Sequence, residues 1–242
     1  MSEPVVRRID FGYFTRPAAE TGAGQPRVDA LLGYAVVYSE GVLLFDTGLA
    51  EGDPEADAWY RPVRRPLHVA LAESGIKLED VRWVANCHLH LDHCGGNPAF
   101  ARRPVFVQSF ELRTARTTRD YTLPQAIDFP GANYEQLDGE AEILPHTLVL
   151  PTPGHTRGHQ AIAVRGSDGT VILAGQAVNS AFDYGSQHLA WRARRENADT
   201  GGSISYSDWI GRLQDLDPRR VLFAHDYSVW EPAHGLSALR HR

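Results

Sequence analysis

The chain has little cysteine: two in 242 residues, Cys87 and Cys94. So few exclude a disulfide framework and fit a reducing cytoplasm. Long apolar runs are missing too. No stretch approaches the roughly 18 residues that cross a bilayer. Residues 1–10 carry two arginines but lack the apolar core of a secretory signal. These absences predict a cytoplasmic protein without a membrane partner. A basic excess is also missing, since the net charge is −6. The arginine pairs (7/8, 64/65, 102/103, 194/195, 219/220) are scattered, which reads as solvated faces and argues against nucleic acid. No linker-like composition and no short repeat divides the chain, so residues 1–242 are expected to form one domain. The sequence sets no oligomeric state.

The remainder is ordinary for a globular protein, with 43% hydrophobic and 22% charged residues, enough for a substantial core. Residues 31–47 read as two β-rich runs around Ser39-Glu40-Gly41, a hairpin pattern. Helices are expected over 66–74, with Pro66 at the start and Gly75 past the end, and from Ser109, as cap, to about Arg116. Short apolar runs at 81–85, 105–107, 147–150, 160–164, 171–174 and 221–223 predict buried strands. Residues 185–203, polar and glycine-rich at both ends, read as a long loop or lid. Trp209, Ile210, Leu213 and Leu216 follow helical spacing, with Ser205 and Asp208 as a capping box. Strands and helices mix in both halves, which predicts a layered α/β protein.

The segment Asn86-Cys87-His88-Leu89-His90-Leu91-Asp92-His93 carries the chemistry. In an extended backbone, residues two apart share a face, so His88 and His90 can bind one metal ion. Asp92 and His93 then turn toward a neighbouring position and can serve a second. Imidazoles with a carboxylate suit zinc and leave iron, cobalt or manganese possible. Among 11 histidines, chance would produce this pattern roughly once in a thousand such chains. His155, after Gly154, is placed by a backbone free to turn sharply. His225 follows the last strand, and the rest of the set promotes it to a ligand. His159 is either a further ligand or a neighbour that orients one. Asp46 is either a turn carboxylate or a partner for a metal-bound histidine. Cys94 is a thiolate ligand or a small buried filler. His68, His146, His188, His234 and His241 lie in no motif.

In order along the chain, Leu43-Leu44-Phe45-Asp46-Thr47-Gly48, residues 88–97 (HLHLDHCGGN), residues 152–160 (TPGHTRGHQ) and Phe223-Ala224-His225-Asp226 resemble the metallo-β-lactamase superfamily. Within it they are most similar to the N-acyl homoserine lactonases, over about residues 30–227. The resemblance implies a four-layer αββα sandwich and a site with two zinc ions held by His88, His90, Asp92, His93, His155 and His225. It implies hydrolysis of a lactone or related small-molecule ester by a metal-activated hydroxide, with Asp92 moving a proton to the departing alkoxide. A thioesterase or glyoxalase II-like hydrolase, or a metal-binding protein without catalysis, would share the framework. One departure stands out. The family places a metal-bridging aspartate where this chain has Gln176, and the lactonases a tyrosine where it has Asn179. Tyr184 is the nearest later tyrosine. By the same resemblance the acyl pocket is expected from residues 17–33 and the 185–203 lid, with Trp191 as its apolar contact.

Overall fold

The computed structural model describes residues 3–200, 202 and 205–232. His234, His241 and parts of the 185–203 segment therefore lie outside the described residues. In chain order the strands are β1 (Val5–Arg16), β2 (Arg27–Val37), β3 (Val42–Phe45), β4 (Val63–Arg64), β5 (Val81–Ala85), β6 (Pro104–Gln108), β7 (Asn133–Leu137), β8 (Ala141–Leu144), β9 (Thr147–Pro151), β10 (Gln160–Gly166), β11 (Gly169–Leu173) and β12 (Pro218–Leu222). The helices are α1 (Ala18–Thr21), α2 (Pro54–Tyr60), α3 (Leu67–Glu73), α4 (Leu91–Cys94), α5 (Ser109–Thr117), α6 (Pro124–Ile127), α7 (Ala181–Arg195) and α8 (Trp209–Gln214).

Side-chain alternation along buried strands explains the layering. In β2 and β3, Leu32, Tyr34, Val36, Leu43 and Phe45 face the second sheet and pack with Val149, Ile162, Val164 and Leu173. Their neighbours Leu31, Ala35, Val42 and Leu44 point the other way, onto Ala70 and Leu71 of α3. On the far side, Ala161, Ala163 and Ile172 turn outward beneath Tyr184 of α7 and Ile210 and Leu213 of α8. One sheet has the order β4-β1-β2-β3-β5-β6-β7, the other β12-β11-β10-β9-β8. Two sheets face to face with helices outside form the αββα sandwich that the resemblance implied.

The first strand had no sequence signal. Arg7, Arg8 and Asp10 break its apolar alternation, yet β1 pairs with β2 along its length around a bulge between Asp10 and Tyr13. Three further expectations are corrected. Residues 181–195 are a helix, not a lid: Ser180 caps it by accepting from the Asp183 amide, and Tyr184, His188 and Trp191 recur at helical spacing. Its arginines (192, 194 and 195) occupy the last turn, where they suit the helix dipole. Ser109 does not cap α5, because its hydroxyl donates to Asp138 instead. The Ser205–Asp208 capping box is absent, since Asp208 is the N-cap of α8 and makes no side-chain cap bond. No helix among the described residues is long and apolar enough to cross a membrane.

The turn after β3 is laced to α4. Thr47 N–H donates to His93 O at 2.8 Å, Ala50 N–H to Leu91 O at 2.9 Å, and Gly95 N–H to Gly48 O at 2.9 Å. These bonds leave no room at Gly95, where a Cβ would sit 1.8 Å from the Ala50 nitrogen. The clash is with backbone and cannot be relieved by a rotamer. Gly95→Ala is expected to destabilise the protein by about 2–3 kcal/mol in urea unfolding. A loss within error of zero would mean that this lacing is looser than described.

Candidate metal centre

Strand β5 ends at Ala85 and delivers the chain into the histidine segment at the edge between the sheets. His88 Nε2 and His90 Nδ1 lie 2.9 Å apart. His155 Nε2 lies 3.2 Å from the same His90 nitrogen. Nitrogens bound to one tetrahedral zinc at 2.0–2.1 Å would stand about 3.3 Å apart. His88 is fully buried, His90 partly so, and His155 is open to the cavity.

A second group adjoins the first. Asp92 Oδ2 is 3.5 Å from His93 Nε2 and 3.4 Å from His225 Nε2. His225 Nδ1 lies 2.8 Å from the Ala30 carbonyl oxygen. A carbonyl can only accept, so Nδ1 carries the proton and Nε2 is a bare acceptor. That acceptor is buried without a hydrogen-bond partner, and it faces a carboxylate. A cation between them removes the conflict, and by this test the residues fit a metal.

Supporting bonds fix these rings. Asp46, at φ 62°, accepts from the Cys87 amide at 2.8 Å through Oδ1 and from His93 Nδ1 at 3.0 Å through Oδ2. It is therefore a turn carboxylate and a histidine partner at once. His159 spends both nitrogens, with Nδ1 2.8 Å from Thr152 Oγ1 and Nε2 accepting from the Gln176 amide at 3.2 Å. It orients Gln176, and its ring nitrogen also lies within 4.8 Å of the ligand atoms of Cys87 and His88. Buried Glu111, unmarked in sequence because a lone helical glutamate has no motif, joins both histidine loops. It accepts from Leu89 N–H at 2.9 Å, from Thr156 Oγ1 at 2.8 Å and from the Tyr121 hydroxyl. Gly158 passes so close that a Cβ would meet the Glu111 nitrogen at 2.6 Å. Cys94 is a buried filler whose thiol donates to Leu89 O at 3.5 Å. Cys87 is the cysteine beside the cluster, 3.2 Å from His88 Nδ1, and burial pushes its thiol pKa up.

Gln176 Oε1 lies 3.2 Å from His93 Nε2, and its amide nitrogen donates to Asn179 Oδ1 at 3.4 Å. Asn179 itself is exposed. The other two expected pocket residues are corrected. Tyr184 is fully buried, accepts from Gln214 at 2.9 Å and packs against Phe223 and Trp230. Trp191 stacks on His188 and meets Gly211 of α8, anchoring α7 to the body. The aromatic hydroxyls beside the histidines come from earlier in the chain. A cavity of about 390 Å³ is lined by Phe14, Arg16, Tyr60 and Tyr121 together with His90, Asp92, His155 and Gln176. Nothing local in sequence marks Phe14, Arg16, Tyr60 or Tyr121; β1, α2 and the loop after α5 bring them in. A larger cavity of about 510 Å³ touches none of the six expected ligands.

Burial would raise the Asp92 pKa, but His93, His225, His90 and Arg16 outweigh it and hold the carboxylate ionised. His93 moves the opposite way from its neighbours: Asp92 and Asp46 overcome burial and lift it to about 9. Burial and neighbouring imidazoles push His88 and His159 well below 6.5 and His225 down to about 4.

A family model described as the metallo-β-lactamase superfamily matches residues 28–225. An N-acyl homoserine lactonase of Bacillus cereus is 33% identical over 156 residues, covering 64% of this chain and 59% of that protein. A probable metallo-hydrolase of Mycobacterium tuberculosis is 29% identical over 169 residues, covering 59% of this chain and 54% of its own. The match thus spans less than two thirds of these relatives. Among solved structures, an N-acyl homoserine lactone hydrolase with N-hexanoyl-L-homoserine at its catalytic metal center superposes with TM-score 0.72. It has 22% identity and covers 94% of this chain and 95% of that one. A dizinc quorum-quenching lactonase in complex with a product gives TM-score 0.64 at 17% identity, covering 94% and 89%. At these identities the structural likeness concerns the fold.

The buried imidazoles set a pH dependence for the metal-free protein. His88, His159 and His225 prefer the neutral form when folded. As pH falls below 6.5 the unfolded chain takes up their protons first, and stability is lost toward pH 4. His93 has the opposite sign, giving stability that is present below 6.5 and lost as pH rises toward 9. His90 and His155 are lowered as well, so the depressed imidazoles outweigh the one raised group on the acid side. Chelated protein is expected to melt roughly 5 °C lower at pH 5 than at pH 7. A melting temperature unchanged over that interval would contradict these assignments.

Proposed function

The chain belongs to the metallo-β-lactamase superfamily, and on that premise we propose that it is a metal-dependent hydrolase that opens a lactone or related ester. The observation that carries this reading is the bare His225 Nε2 facing Asp92 beside three converging imidazoles. His88, His90 and His155 would hold one divalent ion, and Asp92, His93 and His225 a second. The donor set suits zinc, with iron, cobalt and manganese served by the same ligands. When bound, such ions acidify water toward neutral pH and polarise an ester carbonyl.

The chain's own groups do the rest. Asp92 is ionised, so it acts first as a proton acceptor and then returns the proton to the departing alkoxide. His93 and Arg16 place positive charge beside its carboxylate. Phe14, Leu49 and Tyr60 give the cavity apolar surface for an acyl chain. Glu111 holds Tyr121 against His90, with the two ring centroids 4.6 Å apart. The similarity to N-acyl homoserine lactonases makes acylated lactones, and hence quorum quenching, the first substrates and role to test.

Metal removal tests the reading. Prolonged dialysis against a strong chelator is expected to abolish hydrolysis of N-acyl homoserine lactones and generic lactones and to lower the melting temperature, and zinc is expected to restore both. Undiminished activity in protein shown to be metal-free would overturn it.

Gln176 tests the second ion. A glutamine offers one neutral oxygen where a carboxylate would add a charge between two dications. Gln176→Asp is expected to keep more metal per chain on dialysis against a weak chelator, read by elemental analysis. One ion per chain in both proteins would show that the second site is not a metal site.

A further inference from the structure

Arg16, at the end of β1, is the one lysine or arginine among the described residues that line the histidine cavity. Its guanidinium is held firmly. Nε donates to buried Asp29 at 2.7 Å, Nη1 reaches Glu20 at 3.5 Å, and the group lies 5.0 Å from the Phe14 ring centroid. The remaining nitrogen makes no hydrogen bond, and the charge it faces is Asp92. Nη2 is buried without a hydrogen-bond partner and lies 4.0 Å from Asp92 Oδ2, while the side chain keeps 14% exposure. An ordered guanidinium with a free N–H edge is prepared for an oxygen ligand and costs free energy until one arrives.

The charges around it decide what that ligand is. Asp29 is shared with Arg27. Glu20 accepts from Trp59 Nε1 at 2.6 Å and Tyr60 at 3.3 Å, so neither carboxylate is free to satisfy Nη2. Asp92 faces His93 and His225, and Asp120 stands exposed at the mouth, 3.3 Å from Arg119. Where the superfamily resemblance leads one to expect another carboxylate, Gln176 is neutral and does not repel an anion. We propose that Arg16 determines specificity by taking an anionic oxygen of the substrate, so that the preferred ester or lactone carries a carboxylate. Because Nη2 lies 4.0 Å from Asp92, that carboxylate sits close to the reacting carbonyl and not at the end of a long acyl chain. This assignment rests on the ester-hydrolase reading and refines it.

A charge-matched pair tests it: 5-oxotetrahydrofuran-2-carboxylate against its carboxamide, which are nearly the same shape. Metal-replete wild type is expected to favour the carboxylate at least about tenfold in kcat/KM, mainly through KM. In Arg16→Gln the ratio should fall to within about twofold, and Arg16→Lys should be intermediate. A second measurement needs neither turnover nor a variant. Calorimetric titration of chelated wild type should detect the carboxylate and not the carboxamide, and it decides the matter if Arg16→Gln fails to fold. A ratio near one in wild type, or a full ratio retained in a native-like Arg16→Gln, overturns the proposal. Hydrolysis of both lactones at equal rates would sink Arg16 selection while leaving the hydrolase reading intact. Arg16-dependent binding of the carboxylate without turnover of any lactone would uphold the anion site and remove the hydrolase reading.

Discussion

Imidazoles packed this closely cannot all be satisfied by one another. His88 lies 4.2 Å, centroid to centroid, from His93, 4.5 Å from His90 and 4.6 Å from His155. Protonated, these rings repel; neutral, they leave acceptor nitrogens facing acceptors. Much of the surrounding architecture reads as a means of holding them in that otherwise unfavourable arrangement. A bound cation would turn the arrangement into a source of stability, so folding and metal affinity are coupled here.

The restraint is distributed over distant parts of the chain. Asp46 reaches from the end of β3 to Cys87 and His93. Glu111 reaches from α5 to the backbone at Leu89 and to Thr156. Ala30 in β2 fixes the His225 tautomer, and His159 fixes the backbone at Gln176. The bonds from Glu111 and Ala30 join a helix or a strand to a loop bearing a candidate ligand. Loops supply the chemistry, and the sheets decide where it points.

Local pattern disclosed much of this in advance. Strand β5 matches the apolar run at 81–85, and the hairpin of β2 and β3 lies where Ser39-Glu40-Gly41 placed it. The spacing in residues 88–93 showed which imidazoles share a face, because side-chain direction follows backbone period. Long-range relations left no such trace. Arg16 and Phe14 enter the cavity through the register of β1 with β2, which no short window contains. Glu111 and the Ala30 carbonyl act through tertiary bonds alone. The sequence of α7 hides its helix because Gly185 and its polar residues outweigh helical spacing, whereas packing of Tyr184 and Trp191 against the second sheet and α8 settles it. The places of Tyr184 and Trp191 are hidden with it, since a helix anchored on the outer face carries them away from the cavity.

Gln176 is neutral where the family resemblance implied a carboxylate, and Arg16 sets a guanidinium beside Asp92. Both features bear on what binds there, yet neither disturbs the six residues argued to hold the metal. Anomalous diffraction from crystals of the metal-replete protein, collected on both sides of the absorption edge, tests those six most directly. The account predicts a peak enclosed by His88, His90 and His155 and a second beside Asp92, His93 and His225. Catalytically active crystals with no anomalous density among these residues would contradict it.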